Sequence, residues 1–234
     1  EQTRLALALA DPSVGVRAAA AEAVAASSAA GRDETLAAAL GDAAAAVRQT
    51  VVAALAASGA EGERAARSRL APTEPWIARE SALDAIHRVG SREARDLVSR
   101  EFVRSVRQAW TALLALRQLP DDGALALRWL RAAECDALAG ALRVAFRVLS
   151  LVEDPVVTRT VERTLRFGPE RLRYEALEVL ANLGERDAAE KLVLLLEPTA
   201  FEEKIRGLGS FARMPGDVDD VIAEAREGGT RWLR

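Results

Sequence analysis

The sequence predicts an all-α protein, a right-handed α-solenoid of stacked helix pairs, seven to eight of them with the last cut short. Three observations carry this. Half of the 234 residues are apolar, yet only 4% are aromatic, and Ala and Leu supply most of the apolar content. Runs such as Ala18 to Ala21 and Ala43 to Ala46 favour helix and let helix axes approach closely. An apolar residue followed by Arg then recurs along the chain, as Val16-Arg17, Val47-Arg48, Val106-Arg107, Leu142-Arg143, Leu172-Arg173, Ile205-Arg206 and Leu233-Arg234, with Ile77 and Arg79 as a looser member. These arginines stand 31, 31, 28, 36, 30, 33 and 28 residues apart, the scatter expected of a two-helix repeat joined by variable loops.

Taken in order, the copies share their punctuation. The first runs Leu9, Asp11, Pro12, Val16, Arg17, with Pro12 placed where a helix start tolerates a missing N–H. The second runs Leu40, Gly41, Asp42, Val47, Arg48, Val51, Ala54, Leu55, Gly59. Gly41 permits the turn, Asp42 caps the next helix, and Val47, Val51, Ala54 and Leu55 fall on one helical face. The third runs Leu70, Pro72, Pro75, Ile77, Arg79, Ala82, Ile86, Val89, Gly90. A later one runs Leu165, Gly168, Pro169, Leu172, Arg173, Ala176, Val179, Leu180, Leu183, Gly184, whose apolar members are read as buried. The acidic clusters Asp121-Asp122 and Asp217, Asp219, Asp220 follow helix breaks at Pro120 and Pro215-Gly216, and are read as caps and macrodipole partners rather than cation sites. Gly228-Gly229 marks the turn of the last repeat.

This pattern resembles the HEAT-repeat family over nearly the whole chain. The resemblance implies that Asp and Arg of successive repeats form a ladder between layers, assigned here to Asp11, Arg17, Asp42, Arg48, Arg79 and Arg173. Phe167 and Glu227 stand where a turn Asp would be, so the ladder is expected to be incomplete in the C-terminal half. From about Arg143 onward a narrower resemblance appears. It rests on Phe146 to Leu151, Val161-Glu162-Arg163, Leu165, Arg171 to Arg173, Ala176 to Leu183, Leu194 to Pro198 and Arg231 to Arg234. That stretch is similar to bacterial proteins in which an ATP/ADP-translocase-like or major-facilitator-like membrane domain precedes cytoplasmic HEAT repeats and a cyclic-nucleotide-binding domain. The resemblance implies a cytoplasmic linker whose transport and nucleotide-binding residues lie elsewhere.

The chain begins at Glu1 and ends at Arg234 inside a helical pattern, so residues 1–234 are read as one solenoid domain of a longer protein. No apolar run reaches the roughly 18 residues that span a bilayer. Cys135 is the only cysteine, which excludes an intrachain disulfide and suits a reducing cytoplasm, including the cytoplasmic face of a membrane. The 32 basic and 35 acidic residues are interspersed, giving a net charge of −3 and no broad footprint for nucleic acid.

Little here carries chemistry. His87 is the only histidine, so a catalytic His pair, a His-rich metal site and an HExxH motif are excluded; neither a metal nor a cofactor is expected. A Cys135–His87 dyad is outweighed by an ordinary thiol and a groove-lining imidazole. No glycine-rich phosphate loop is present. The arginines at 88, 92, 95, 100, 104 and 107, and at 163, 166, 171 and 173, alternate with carboxylates and are read as solvated ion pairs, with an anionic-lipid or nucleic-acid surface as the alternative. Trp110 and Trp232 are read as core; Trp76, following Pro75 at a helix start, is read as partly exposed and ranks ahead of Trp129 as a candidate interface anchor.

Second helices of such pairs line the inner surface of a solenoid, and their outward positions are Gln49, Glu80, Asp84, His87, Gln108, Thr111, Glu175, Glu178 and Asn182. This polar, mildly acidic set is the expected concave surface for another protein or another domain of the same polypeptide, with self-association through the solenoid ends as a further contact. The function expected is a non-catalytic scaffold or regulatory linker. The competing classes are an adaptor for anionic lipid or nucleic acid, and a HEAT-fold enzyme resembling alkylpurine DNA glycosylases or bilin lyases.

Overall fold

In a computed structural model, residues 2–120 and 123–227 are described. Asp121-Asp122, Gly228-Gly229 and Trp232 to Arg234 lie outside the described residues. The described chain holds thirteen α-helices and no strand. It forms two compact units, Glu1–Val98 and Ser99–Arg234.

The first unit contains α1 (Gln2–Ala8), α2 (Val14–Ala26), α3 (Arg32–Ala38), α4 (Ala45–Ala57), α5 (Ala60–Arg67), α6 (Trp76–Val89) and the start of α7 (Arg92–Gln118). One turn of 3-10 helix prolongs α3 (Ala39–Gly41) and another prolongs α5 (Ser68–Leu70). Helices of alternate position lie side by side: α2 packs on α4, α4 on α6 and α3 on α5, and successive helices from α1 to α6 also pack on one another. Of the apolar positions read from the sequence, Leu40, Val47, Val51, Leu55 and Ile86 are withdrawn from solvent, joined by Leu36 and Leu83, whereas Val16 is exposed. One glycine sets the spacing of these layers. A Cβ at Gly62 would stand 1.9 Å from the Leu55 carbonyl oxygen, so the α5 backbone rests directly on that of α4. Gly59 and Gly90 close α4 and α6 at φ of 61° and 72°, in the left-handed region that glycine enters without strain. Ser91 then starts α7, accepting the Ala94 N–H (2.9 Å) while its hydroxyl donates to Glu63 on α5 (3.2 Å).

The second unit contains the remainder of α7, α8 (Leu125–Val152), α9 (Pro155–Phe167), α10 (Glu170–Leu180), α11 (Arg186–Leu196), α12 (Phe201–Leu208) and α13 (Val218–Glu227). Here α8 packs on α9, α9 on α10, α10 on α11 and α11 on α12. Long-range bonds tie α7 into this unit. The Trp110 indole N–H donates to the Lys191 carbonyl (3.0 Å), Arg107 donates to that of Phe211 (3.0 Å), and Gln118 to that of Pro215 (3.1 Å). A separate apolar cluster of Ala115, Leu119, Leu130, Val221 and Ala225 seats α13 against α7 and α8. The two lysines of the chain serve α11 and α12: Lys204 donates to the Leu195 carbonyl (2.6 Å) and Lys191 to that of Gly207 (2.7 Å). Burial holds the Lys204 ammonium below its ordinary range.

The repeat rhythm departs from expectation in this unit. Val106-Arg107 lies in the middle of α7, a continuous helix of 27 residues, and Leu142-Arg143 lies well inside α8, of 28 residues. Neither marks a new helix. Residues 92–118 contain no Gly or Pro, and α8 contains only Gly140, so nothing ends either helix there. No helix of the described chain is long and apolar enough to cross a membrane.

Candidate interaction surfaces

The turn arginines of the first unit have a defined task. Arg17 donates through Nη1 to the carbonyls of Asp11 (2.8 Å) and Pro12 (3.1 Å), gripping the turn that precedes its own helix. Its other edge makes a fork onto Asp42 of the following repeat, Nε to Oδ2 at 2.6 Å and Nη2 to Oδ1 at 3.0 Å. This bidentate geometry suits a guanidinium and would not survive replacement by lysine. Asp42 also accepts the Ala44 N–H (2.7 Å) at the start of α4. The bond from Arg17 holds the Asp42 carboxyl below the ordinary carboxylate range, and the same bond raises Arg17. Arg48 repeats half the arrangement, donating to the carbonyls of Asp42 (2.7 Å) and Ala43 (2.9 Å). Six residues before Arg79 the chain has Thr73 in place of an aspartate, and Arg79 is buried. Arg173, the last residue of the expected ladder, is exposed on α10.

The nine residues expected on one concave surface divide between the units. Gln49 on α4 is exposed, and Glu80, Asp84 and His87 stand half-buried along one side of α6, the helix packed against α4. Gln108 and Thr111 lie on α7 and Glu175 and Glu178 on α10, with Asn182 just beyond, all in the second unit. Several of them are engaged locally. The Thr111 hydroxyl donates to the Arg107 carbonyl (3.1 Å), Asn182 donates to that of Glu178 (2.9 Å), and Glu175 pairs with Arg171 (3.5 Å).

Several arginines of the two runs are likewise engaged. Arg95 donates to the Gly90 carbonyl (2.7 Å), Arg104 pairs with Glu101 (3.5 Å), and Arg166 pairs with Glu162 (2.8 Å). Arg107, besides its bond to Phe211, stacks over that ring at 5.3 Å. Among the described residues no group of His, Cys, Asp or Glu could hold a metal ion. Cys135 is exposed on α8 in the second unit, whereas His87 belongs to the first.

A different surface stands out, one that the sequence reading did not select. Of the thirteen large apolar side chains exposed among the described residues, seven fall between residues 152 and 179: Val152, Val156, Val157, Phe167, Leu172, Tyr174 and Val179. That concentration sets the α9–α10 pair apart from the rest of the surface. Phe167, at the end of α9, is 81% exposed. A groove of about 200 Å³ in this unit is lined by Leu165, Tyr174, Leu177, Leu196 and Pro198 and by the charged Glu170 and Arg173. Leu172 and Val179, read as core, are 44% and 42% exposed, whereas Ala176, Leu177 and Leu180 are buried. The signal was present in the composition of α10: six of its eleven residues are apolar, at 172, 174, 176, 177, 179 and 180, more than one buried stripe accommodates. Trp129 also differs from expectation. It is 62% exposed on α8, next to exposed Leu125, while Trp76 is half-buried; Trp110 is fully buried.

No family model, curated protein or solved structure matches this chain.

Proposed function

We propose that the chain is a non-catalytic HEAT-type scaffold or linker, and that a protein segment seats on the exposed apolar face of α9 and α10. The observation that carries this is the concentration of exposed apolar side chains on α9 and α10, together with a groove lined by Leu165, Tyr174, Leu177, Leu196 and Pro198. Tyr174, an exposed aromatic lining an apolar trough, is the kind of anchor that dominates protein interfaces. Glu170 and Arg173 at the margin supply charges of both signs to orient the segment. The solenoid reading is supported by the regular stacking of α2, α4 and α6 and by the clamp from Arg17 to Asp42. Engagement of Arg95, Arg104, Arg107 and Arg166 within the chain favours a protein partner over lipid or nucleic acid.

The test is selection from a displayed random-peptide library against the whole chain, repeated with a Phe167→Glu, Tyr174→Glu variant. Both side chains are exposed, so circular dichroism of the variant should be unchanged while the selected peptides lose at least tenfold in affinity. Peptides that bind the variant equally would remove the groove from the proposal. Binding to anionic vesicles or DNA that falls steeply with salt would support the adaptor reading instead. The role as a cytoplasmic module of a transporter-like protein is part of the proposal through resemblance alone, and the reading frame on both sides of this segment tests it.

A further inference from the structure

The outer face of α8 carries a pattern that is matched about its own centre. With about 100° between successive residues, Leu125, Arg128, Trp129, Cys135, Asp136 and Ala139 all fall within about 60° of Ala132 on the helix surface. All of them, Ala132 included, are exposed, whereas Leu130, Ala133 and Ala141 on other sides of the helix are buried. Leu125 is 67% exposed, and Trp129 stands one turn further on. A Leu and a Trp held in solvent along one stripe mark a surface that another surface covers.

The two halves of the stripe are related through Ala132. Four residues before it stands Arg128, and four after it Asp136. Three before it stands Trp129, and three after it Cys135; seven before it stands Leu125, and seven after it Ala139. Each step outward therefore matches a cation with an anion or a large side chain with a small one. Neither charge is engaged at home. Arg128 and Asp136 form no ion pair among the described residues, and they lie about 12 Å from one another along the helix, too far to pair.

We propose that this face of α8 binds a second copy of the chain, the two helices crossing antiparallel at Ala132. A two-fold axis through that crossing sets each residue level with the one equally far on the other side of Ala132 in the second copy. Arg128 then meets Asp136 of the second copy, and Asp136 meets its Arg128. Trp129 comes level with Cys135 and Leu125 with Ala139, so large side chains lie over small ones, and Ala132 lets the axes approach closely. A two-fold interface demands a surface that complements itself, whereas a different protein, or another part of the same polypeptide, demands no relation between the two halves. That relation selects a second copy as the occupant. Four turns of one helix bury less than the roughly 1,200 Å² of a standard interface, so the dimer is a reversible one that dissociates on dilution. The face lies on α8, and the inference does not rest on the α9–α10 groove.

Sedimentation velocity of the full chain across the micromolar range should show reversible dimers. Arg128→Asp and Asp136→Arg each set like charges against one another at both contacts, and each should weaken the dimer by about tenfold or more. An equimolar mixture of the two variants has an opposite pair at both contacts and should dimerise at least as tightly as the native chain, a restoration that no surface outside α8 would give. Both side chains are exposed, so circular dichroism should be unchanged. In a Cys135→Ser background, Ala132→Cys should yield an oxidised dimer, while Ala139→Cys, with its two copies about 21 Å apart along the helices, should not. Cross-linking at both positions would overturn the antiparallel register. A chain that stays monomeric throughout, or dimers indifferent to both charge reversals, would overturn the proposal.

Discussion

Replacing Glu134 with Gln should stabilise the protein at neutral and alkaline pH and do little in acid. Glu134 lies on α8, the helix that together with α7 seats α13 through Leu119, Leu130, Val221 and Ala225. Burial pushes its carboxyl up from 4.5 to about 7, and the negative charge of Glu224 on α13 adds to the effect. The sign follows from linkage. The folded state holds this proton more tightly than the unfolded chain, so the stability it contributes is complete below about pH 4.5 and is lost as pH rises through about 7. A rise of that size corresponds to about 3 kcal/mol at 1.36 kcal/mol per pH unit, and partial exposure of the carboxyl to solvent reduces it to about 2 kcal/mol. Glutamine keeps the shape and cannot ionise. Urea unfolding followed by tryptophan fluorescence from pH 5 to 8.5 should give two stability curves that nearly meet at the acid end and separate by about 2 kcal/mol at the alkaline end. Glu224→Gln should move the native curve the same way by less, because desolvation is the larger cause. A constant gap between Glu134→Gln and the native chain across this range would refute the reasoning.

Three further outcomes follow from the packing. Asp42→Ala removes both prongs of the Arg17 fork and the bond to the Ala44 N–H, and should cost about 1–2 kcal/mol in chemical unfolding, whereas Asp42→Asn keeps the cap and loses less. Because Asp42 is held below its ordinary range, its contribution is present above that range and disappears as pH falls through it, opposite in sense to Glu134. Gly62→Ala drives a methyl group to 1.9 Å from the Leu55 oxygen and should lower stability by about 2–3 kcal/mol in calorimetry; Gly31→Ala meets nothing within 4 Å and should cost only the left-handed strain of about 1 kcal/mol. Trp110→Phe leaves the Lys191 carbonyl without its indole donor and opens space in a fully buried site, for about 1–3 kcal/mol by thermal unfolding, with α7 and α11 losing hydrogen-exchange protection first.

What the sequence disclosed, and what it withheld, divides along a physical line between local and distant causes. In the first unit a helix ends where Asp11-Pro12, Gly59, Pro72 or Gly90 makes continuation costly, and these residues act on the backbone next to them. The contact of Arg17 with its own turn is equally local, reaching carbonyls five and six residues behind it, but the sequence reading assigned this arginine only to a ladder between layers, through resemblance. An apolar residue followed by Arg carries no such constraint by itself. At Val106-Arg107 and Leu142-Arg143 it falls inside uninterrupted helices, and the absence of a breaker outweighs the dipeptide's resemblance to a repeat start. Burial is less local still. Val16 and Val47 each precede the arginine of their copy, yet one is exposed and the other is not, because among the described residues only Val47 has a helix pair on its preceding side. Leu172 and Val179 failed as core residues for a related reason: α10 has apolar side chains beyond the stripe that α9 and α11 cover, and periodicity cannot say which of several apolar faces receives a neighbour. Glu134 is the extreme case, its proton affinity set in part by Glu224, ninety residues further along the chain and brought near by the docking of α13. The residues on which function is placed here, Phe167 and Tyr174, belong to this distant class. They are ordinary helix positions in the sequence and become a surface only because the fold leaves them uncovered.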